Sequence, residues 1–143
     1  MPKFPKTKVM VFGTFDVLHK GHLNFFKQAR NLAKNPFLVV SLARDINVKK
    51  IKGQKPRYKE RVRLNRVAKS ILVDKALLGG FRNHLPHILK ERPKIIALGY
   101  DQTVYAKNLA VDLAKKGLKV RLIRLKPYHP RIYKSSVIKV DGG

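Results

Sequence analysis

The chain has no cysteine and no tryptophan, and only 8 acidic residues among its 143. Without cysteine there can be no disulfide, no thiolate metal site and no cysteine nucleophile. No apolar run approaches the ~18 residues needed to cross a bilayer, and no basic segment followed by an apolar one opens the chain as a secretory leader would. A cytoplasmic protein with no membrane partner is therefore expected. Internal repeats, low-complexity segments and linkers are also missing, so residues 1–143 read as a single domain. HExxH, Cys/His clusters and GxxxxGKS/T do not occur, which leaves a dedicated zinc site and a P-loop without support.

The shortage of acids sets the charge. Thirty-three Lys and Arg against 8 Asp and Glu give a net charge of +25, spread along the whole chain. Such a field attracts polyanions: nucleotides as substrates, and nucleic acid as a non-specific contact. With 44% hydrophobic residues the chain can still bury a full core.

Apolar runs and helical spacings alternate. Residues 8–14 (KVMVFGT), 37–42 (FLVVSL), 75–78, 94–98 (KIIAL) and 120–125 read as short buried strands. Between them, helices are predicted at 20–34, 44–50, 59–71, 84–91 and 106–116, with a last short one at 135–140. In the third of these, Val62, Val67 and Ile71 are expected on one side. Residues 51–58 (IKGQKPRY) read as a basic loop. Strands alternating with helices argue for βαβ units and a parallel sheet. Ligands of such sheets bind beyond the carboxyl ends of the strands. That rule puts residues 13–22, 43–45, 99–102 and the loop after the fifth strand on one rim.

The segment at 13–22 is GTFDVLHKGH. Gly13 lets the backbone pass close to a ligand. His19 and His22 share one side of the first turn of a helix, whose free N–H groups suit a phosphate. Two imidazoles there can donate to a phosphate and to charge developing on it. The same spacing also serves surface polar residues or metal ligands.

GTFDVLHKGH closely resembles the GxFDxxHxGH signature of the nucleotidyltransferase superfamily that includes glycerol-3-phosphate and choline-phosphate cytidylyltransferases. The resemblance implies a Rossmann-like doubly wound domain with a five-stranded parallel sheet in the order 3-2-1-4-5. It implies that His19 and His22 bind the nucleotide phosphates and stabilise the transition state, and that Thr14 and Phe15 line the phosphate and base region. Asp16 would either contact the nucleotide or cap the loop. Ala43-Arg44-Asp45 followed by Ile51-Lys52-Gly53 resembles an SxD…KG stretch whose lysine binds phosphate; Lys52 is the candidate, with Lys49, Lys50 and Lys55 close by. Glu60-Arg61 resembles an ER pair whose arginine supports the substrate side. Val73-Asp74 resembles a YVD segment, but Ile71-Leu72 stand where relatives often carry arginine.

Within the superfamily the finer resemblance is to archaeal-type FAD synthetases, which are FMN adenylyltransferases. It rests on ARD at 43–45, ALGYDQ at 97–102 and the paired serines at 135–136. Glycerol-3-phosphate cytidylyltransferases usually read STD, GxDW and RTxGIST(S/T) instead. Archaeal FAD synthetases often carry cysteines in the last loop, and this chain has none. Gly99 and Asp101 would meet the nucleotide, although Asp101 also suits a helix cap. Ser135 and Ser136 would hold phosphate or act as an ordinary N-cap. Arg124 and Arg131 would neutralise the second substrate's phosphate. Phe81, Tyr100, Tyr105 and Tyr128 are candidates to line a flavin pocket; His84, His87 and His129 have no assigned role.

The resemblance thus implies transfer of AMP from ATP to FMN, forming FAD and pyrophosphate, with Mg²⁺ bound along with the nucleotide. One alternative is CTP with a small phosphorylated alcohol such as glycerol 3-phosphate. Another is a nucleic-acid-binding protein on an inactive scaffold. Relatives of this fold are often dimers, so a homodimer is a further expectation.

Overall fold

The computed structural model describes residues 5–80, 85–99, 102 and 106–127. The element order is β1 (Thr7–Gly13), α1 (Lys20–Arg30), β2 (Pro36–Leu42), α2 (Asp45–Lys52), α3 (Glu60–Ala68), β3 (Lys75–Leu78), α4 (Leu85–Glu91), β4 (Ile95–Leu98), α5 (Ala106–Lys115) and β5 (Arg121–Arg124). All five strands are parallel, in the order β3-β2-β1-β4-β5. This is the doubly wound sheet that the sequence implied. The predicted helix at 135–140 lies outside the described residues.

The central strands are apolar on both faces because helices cover both. On one face Val9, Val11, Leu38, Val40 and Ala97 pack with Phe26 and Ala29 of α1 and Val67 of α3. On the other, Met10, Phe12, Val39, Ile96 and Leu98 pack with Ile88 of α4 and Leu109 and Leu113 of α5. Each fully buried side chain of this kind contributes about 1.5–3 kcal/mol. Among the described residues no helix is long and apolar enough to cross a membrane.

Three helices differ from the sequence expectation. α1 ends at Arg30, short of residue 34, because the chain must reach Pro36, which pairs with Thr7 at the start of β2. The Asn35 carbonyl accepts from the Thr7 N–H at 2.8 Å, and a residue before proline is disfavoured in a helix. α2 runs on to Lys52, where Gly53 at φ +80° closes it, so Lys52 is helical and not part of the following loop. In α3 the buried side carries Arg63 and Val67, while Val62 is exposed and Ile71, beyond the helix, is 95% exposed.

Asp74, the acid of the segment before β3, is a structural tie. Its Oδ2 accepts from Leu38 N–H at 2.8 Å and from Arg30 Nη1 at 2.7 Å. At the amino-terminal end of the sheet, Glu91 of α4 is largely buried and pairs with Lys75 (2.8 Å) and Lys8 (3.5 Å). Burial alone would raise the Glu91 carboxyl, but hydrogen bonds and attraction from Lys75 and Lys8 outweigh it and hold the group below its ordinary value.

Candidate active site

β1 ends at Gly13 and the chain turns back through Thr14 and Phe15. Phe15 adopts φ +50°, a left-handed conformation unusual for a bulky residue. The turn folds its ring over Gly13: a Cβ on Gly13 would lie 2.6 Å from Phe15 Cζ. Gly13 is thus required by the Phe15 ring, a reason additional to close approach by a ligand. Phe15 is 2% exposed and packs against Phe26 at 5.3 Å and edge-on to His22 at 5.2 Å. It braces His22 from the core side.

His19 is the N-cap of α1, and its Nδ1 accepts the Gly21 N–H at 3.0 Å. A neutral imidazole that accepts at Nδ1 carries its proton on Nε2, which makes Nε2–H the donor available to a ligand. The His22 ring stacks on it at 3.8 Å between centroids, 24° from parallel. His22 Nδ1 is buried, so a ligand can be reached only through Nε2. The first turn of α1 holds no acid, unlike α2 and α3, which begin with Asp45 and Glu60. The positive end of the α1 dipole is thereby left for an external anion.

A polar frame fixes this turn from the other side. Asp16 accepts the backbone N–H groups of Arg57 (2.6 Å) and Tyr58 (2.8 Å), tying the loop after α2 to the β1–α1 turn. α2 and α3 cap each other: Asp45 Oδ2 accepts from Glu60 N–H at 3.1 Å, and Glu60 Oε1 accepts from Asp45 N–H at 2.9 Å. Arg63 is fully buried and uses three nitrogens at once. Nη1 donates to Thr14 O (2.8 Å), Nε to Tyr58 O (3.0 Å) and Nη2 to Asp45 Oδ1 (2.7 Å). Arg44 joins in, with Nη1 on Glu60 (3.0 Å) and Nε on Gly79 O (2.9 Å).

The residues expected at the rim are distributed as follows. Gly13, Thr14, Phe15, Asp16, His19 and His22 form one compact turn. Lys52 is exposed at the end of α2, leading into the loop that Asp16 holds. Arg61 is exposed on α3; the arginine that reaches the turn is Arg63. Gly99 and Arg124 meet across the rim, with Arg124 Nη1 donating to Gly99 O at 3.1 Å. Asp101, Arg131, Ser135 and Ser136 lie outside the described residues, as do Phe81, Tyr100, Tyr105 and Tyr128. His87, left without a role, bonds Ser41 at 3.0 Å. The sequence reading missed Arg63 because apolar periodicity cannot register a buried cation. The available signal was its position one turn before Val67 on the same helix face.

Comparison with known proteins agrees with this geometry. The cytidylyltransferase-like family matches residues 10–140. The chain belongs to the cytidylyltransferase-like family. It is 44% identical over 119 residues to a FAD synthase of Methanosarcina barkeri, covering 83% of each chain. It is 43% identical to a FAD synthase of Korarchaeum cryptofilum, covering 82% of this chain and 80% of that one. Among solved structures it is similar to a lipopolysaccharide core biosynthesis protein of Thermoplasma volcanium GSS1, with TM-score 0.79, 33% identity, and coverage of 87% of this chain and 99% of that one. This cytidylyltransferase-like chain is therefore a nucleotidyltransferase, and the histidine pair at the head of α1 lies within the matched segment.

Proposed function

We propose that this nucleotidyltransferase transfers AMP from ATP to FMN, forming FAD and pyrophosphate. The observation that carries the reading is the stacked His19/His22 pair at an α1 N-terminus without acids, in a chain similar to FAD synthases over most of its length. An FMN phosphate oxygen attacks the α-phosphorus of ATP in line. The new P–O bond forms as the bond to the pyrophosphate oxygen breaks, with no covalent enzyme intermediate. Two anions that repel each other must be aligned, so positioning and charge stabilisation supply the catalysis.

In this reading His19 and His22 donate through Nε2 to the phosphates, and the α1 amides add their dipole. Gly13 and Thr14 line the phosphate turn. Lys52 neutralises the pyrophosphate as it leaves, and Arg124, beside Gly99, faces the acceptor phosphate. Asp16 serves as the loop cap, since both its oxygens bind backbone N–H groups. A divalent ion such as Mg²⁺ would enter on the nucleotide phosphates: among the described residues no three metal-ligating side chains cluster, and the rim acids Asp16, Asp45 and Glu60 are engaged within the protein. The chemistry such an ion supplies is neutralisation of phosphate charge.

Pyrophosphate release decides the substrates. It is measured with ATP and with CTP, each paired with FMN and with glycerol 3-phosphate, in the presence of Mg²⁺. Release with ATP plus FMN alone is expected. Release with CTP plus glycerol 3-phosphate would replace the proposal by a cytidylyltransferase reaction.

A further inference from the structure

β1 keeps its pairing with β2 through Gly13, and β4 keeps its pairing with β5 through Leu98. Between β1 and β4, however, the ladder covers only Val9–Ile95 and Met10–Ile96. Beyond those residues the two strands separate, and this is the switch point at which a doubly wound sheet opens its ligand crevice. One side chain spans the opening. Gln102 Nε2 donates to Phe12 O at 2.8 Å, and Gln102 Oε1 accepts from Gly99 N–H at 2.8 Å. Its own backbone N–H donates to Gly99 O at 3.0 Å, the oxygen that also accepts from Arg124 Nη1.

We propose that Gln102 is a positioning residue of the transfer reaction: its amide sets the width of the crevice between β1 and β4 and, through the Gly99 carbonyl, the seat of Arg124. The inference rests on the proposed reaction for its turnover readout, but not for its binding readout. An amide is suited to the task because it offers a donor and an acceptor at once, one for each strand end. Phe12 lies near the end of β1, which leads into the phosphate turn, and Gly99, just past β4, holds through its carbonyl the acceptor arginine at the end of β5. A shift of about 1 Å between them would misalign the two substrates, and such misplacement costs up to about a hundredfold in rate.

The test uses Gln102→Ala and the isosteric Gln102→Glu. An ionised Glu accepts only, so it keeps the Gly99 bond and confronts the Phe12 carbonyl. A protonated Glu donates as well and restores both. We expect Gln102→Ala to lower kcat/KM by about ten- to a hundredfold while the chain stays folded at the assay temperature. We expect the ratio of Gln102→Glu to wild-type kcat/KM to rise as pH is lowered from about 8 to about 5.5, because only the protonated carboxyl offers the Phe12 carbonyl a donor. A residue needed only for folding would lower activity in step with the folded fraction, so the ratio is taken per folded molecule at each pH, where such a residue gives no profile. ATP affinity, read by calorimetry without an acceptor, should weaken in Gln102→Ala and recover in Gln102→Glu at low pH. This second readout stands even if FMN is the wrong acceptor, which the wild-type assay reveals separately. Wild-type kcat/KM and ATP affinity in Gln102→Ala, or a Gln102→Glu ratio independent of pH, would overturn the proposal. Should Gln102→Ala fail to fold, the Gln102→Glu profile alone decides.

Discussion

His19 combines two tasks that substitution can separate. As N-cap it satisfies the Gly21 N–H, and in the proposed reaction it donates to the phosphates through Nε2. His19→Ala should lose both, costing about 1 kcal/mol of stability and at least a hundredfold in turnover. His19→Asn retains a good N-cap acceptor, so urea unfolding should return nearly to wild type while turnover stays low. Equal recovery of both would mean that His19 serves α1 alone. The Gly13/Phe15 pair gives a second test at this scale. Gly13→Ala drives a methyl into the Phe15 ring and should destabilise by about 1–3 kcal/mol. Adding Phe15→Leu removes the ring edge, so the double variant should be less destabilised than the sum of the two singles.

Between elements, the reciprocal capping of α2 and α3 and the buried Arg63 act as one joint. Asp45→Ala strips Arg63 of the carboxylate it pairs with and α3 of its cap. Leaving a buried guanidinium uncompensated costs about 3–5 kcal/mol, measurable as a lower urea midpoint at unchanged slope. Because Arg63 also holds the Thr14 carbonyl, turnover should fall beyond what the unfolded fraction accounts for. A folded Asp45→Ala with full turnover would show that the joint does not govern the phosphate turn. The elements themselves were largely legible: buried parallel strands read as continuous apolar runs, and βαβ alternation allows few topologies. The β1–α1 turn with its stacked histidines was legible too, as a local motif. What escaped were polar groups whose partners are distant in sequence. Arg63 reaches 49 residues to Thr14, and Gln102 reaches 90 to Phe12. Periodicity reports only apolar faces, so it sets Val62, Val67 and Ile71 on one side of the helix, where the structure buries Val67 together with Arg63 and exposes the other two.

For the molecule as a whole, the Glu91 ion-pair cluster and the candidate active site occupy opposite ends of the sheet. Glu91 with Lys8 and Lys75 lies at the amino-terminal end, away from the histidine pair. Its carboxyl titrates lower in the folded chain than in the unfolded one, so the folded state binds fewer protons. Its contribution is present above the ordinary carboxylate range, around pH 4.5, and is lost as pH falls through the depressed value. Glu91→Gln should therefore flatten the acid limb of the stability curve and leave turnover at neutral pH unchanged. An acid limb that keeps its slope in this variant would place the acid sensitivity elsewhere.

Among the described residues, the rim carboxylates Asp16, Asp45 and Glu60 are each bound to backbone amides or arginine. The basic field that draws an anionic substrate in also holds back an anionic product. For the proposed reaction, slow pyrophosphate egress at low ionic strength is the expected outcome. Salt should first speed turnover by loosening retained pyrophosphate and only later slow it by weakening capture. A rate that falls monotonically with added salt would place the slow event before release.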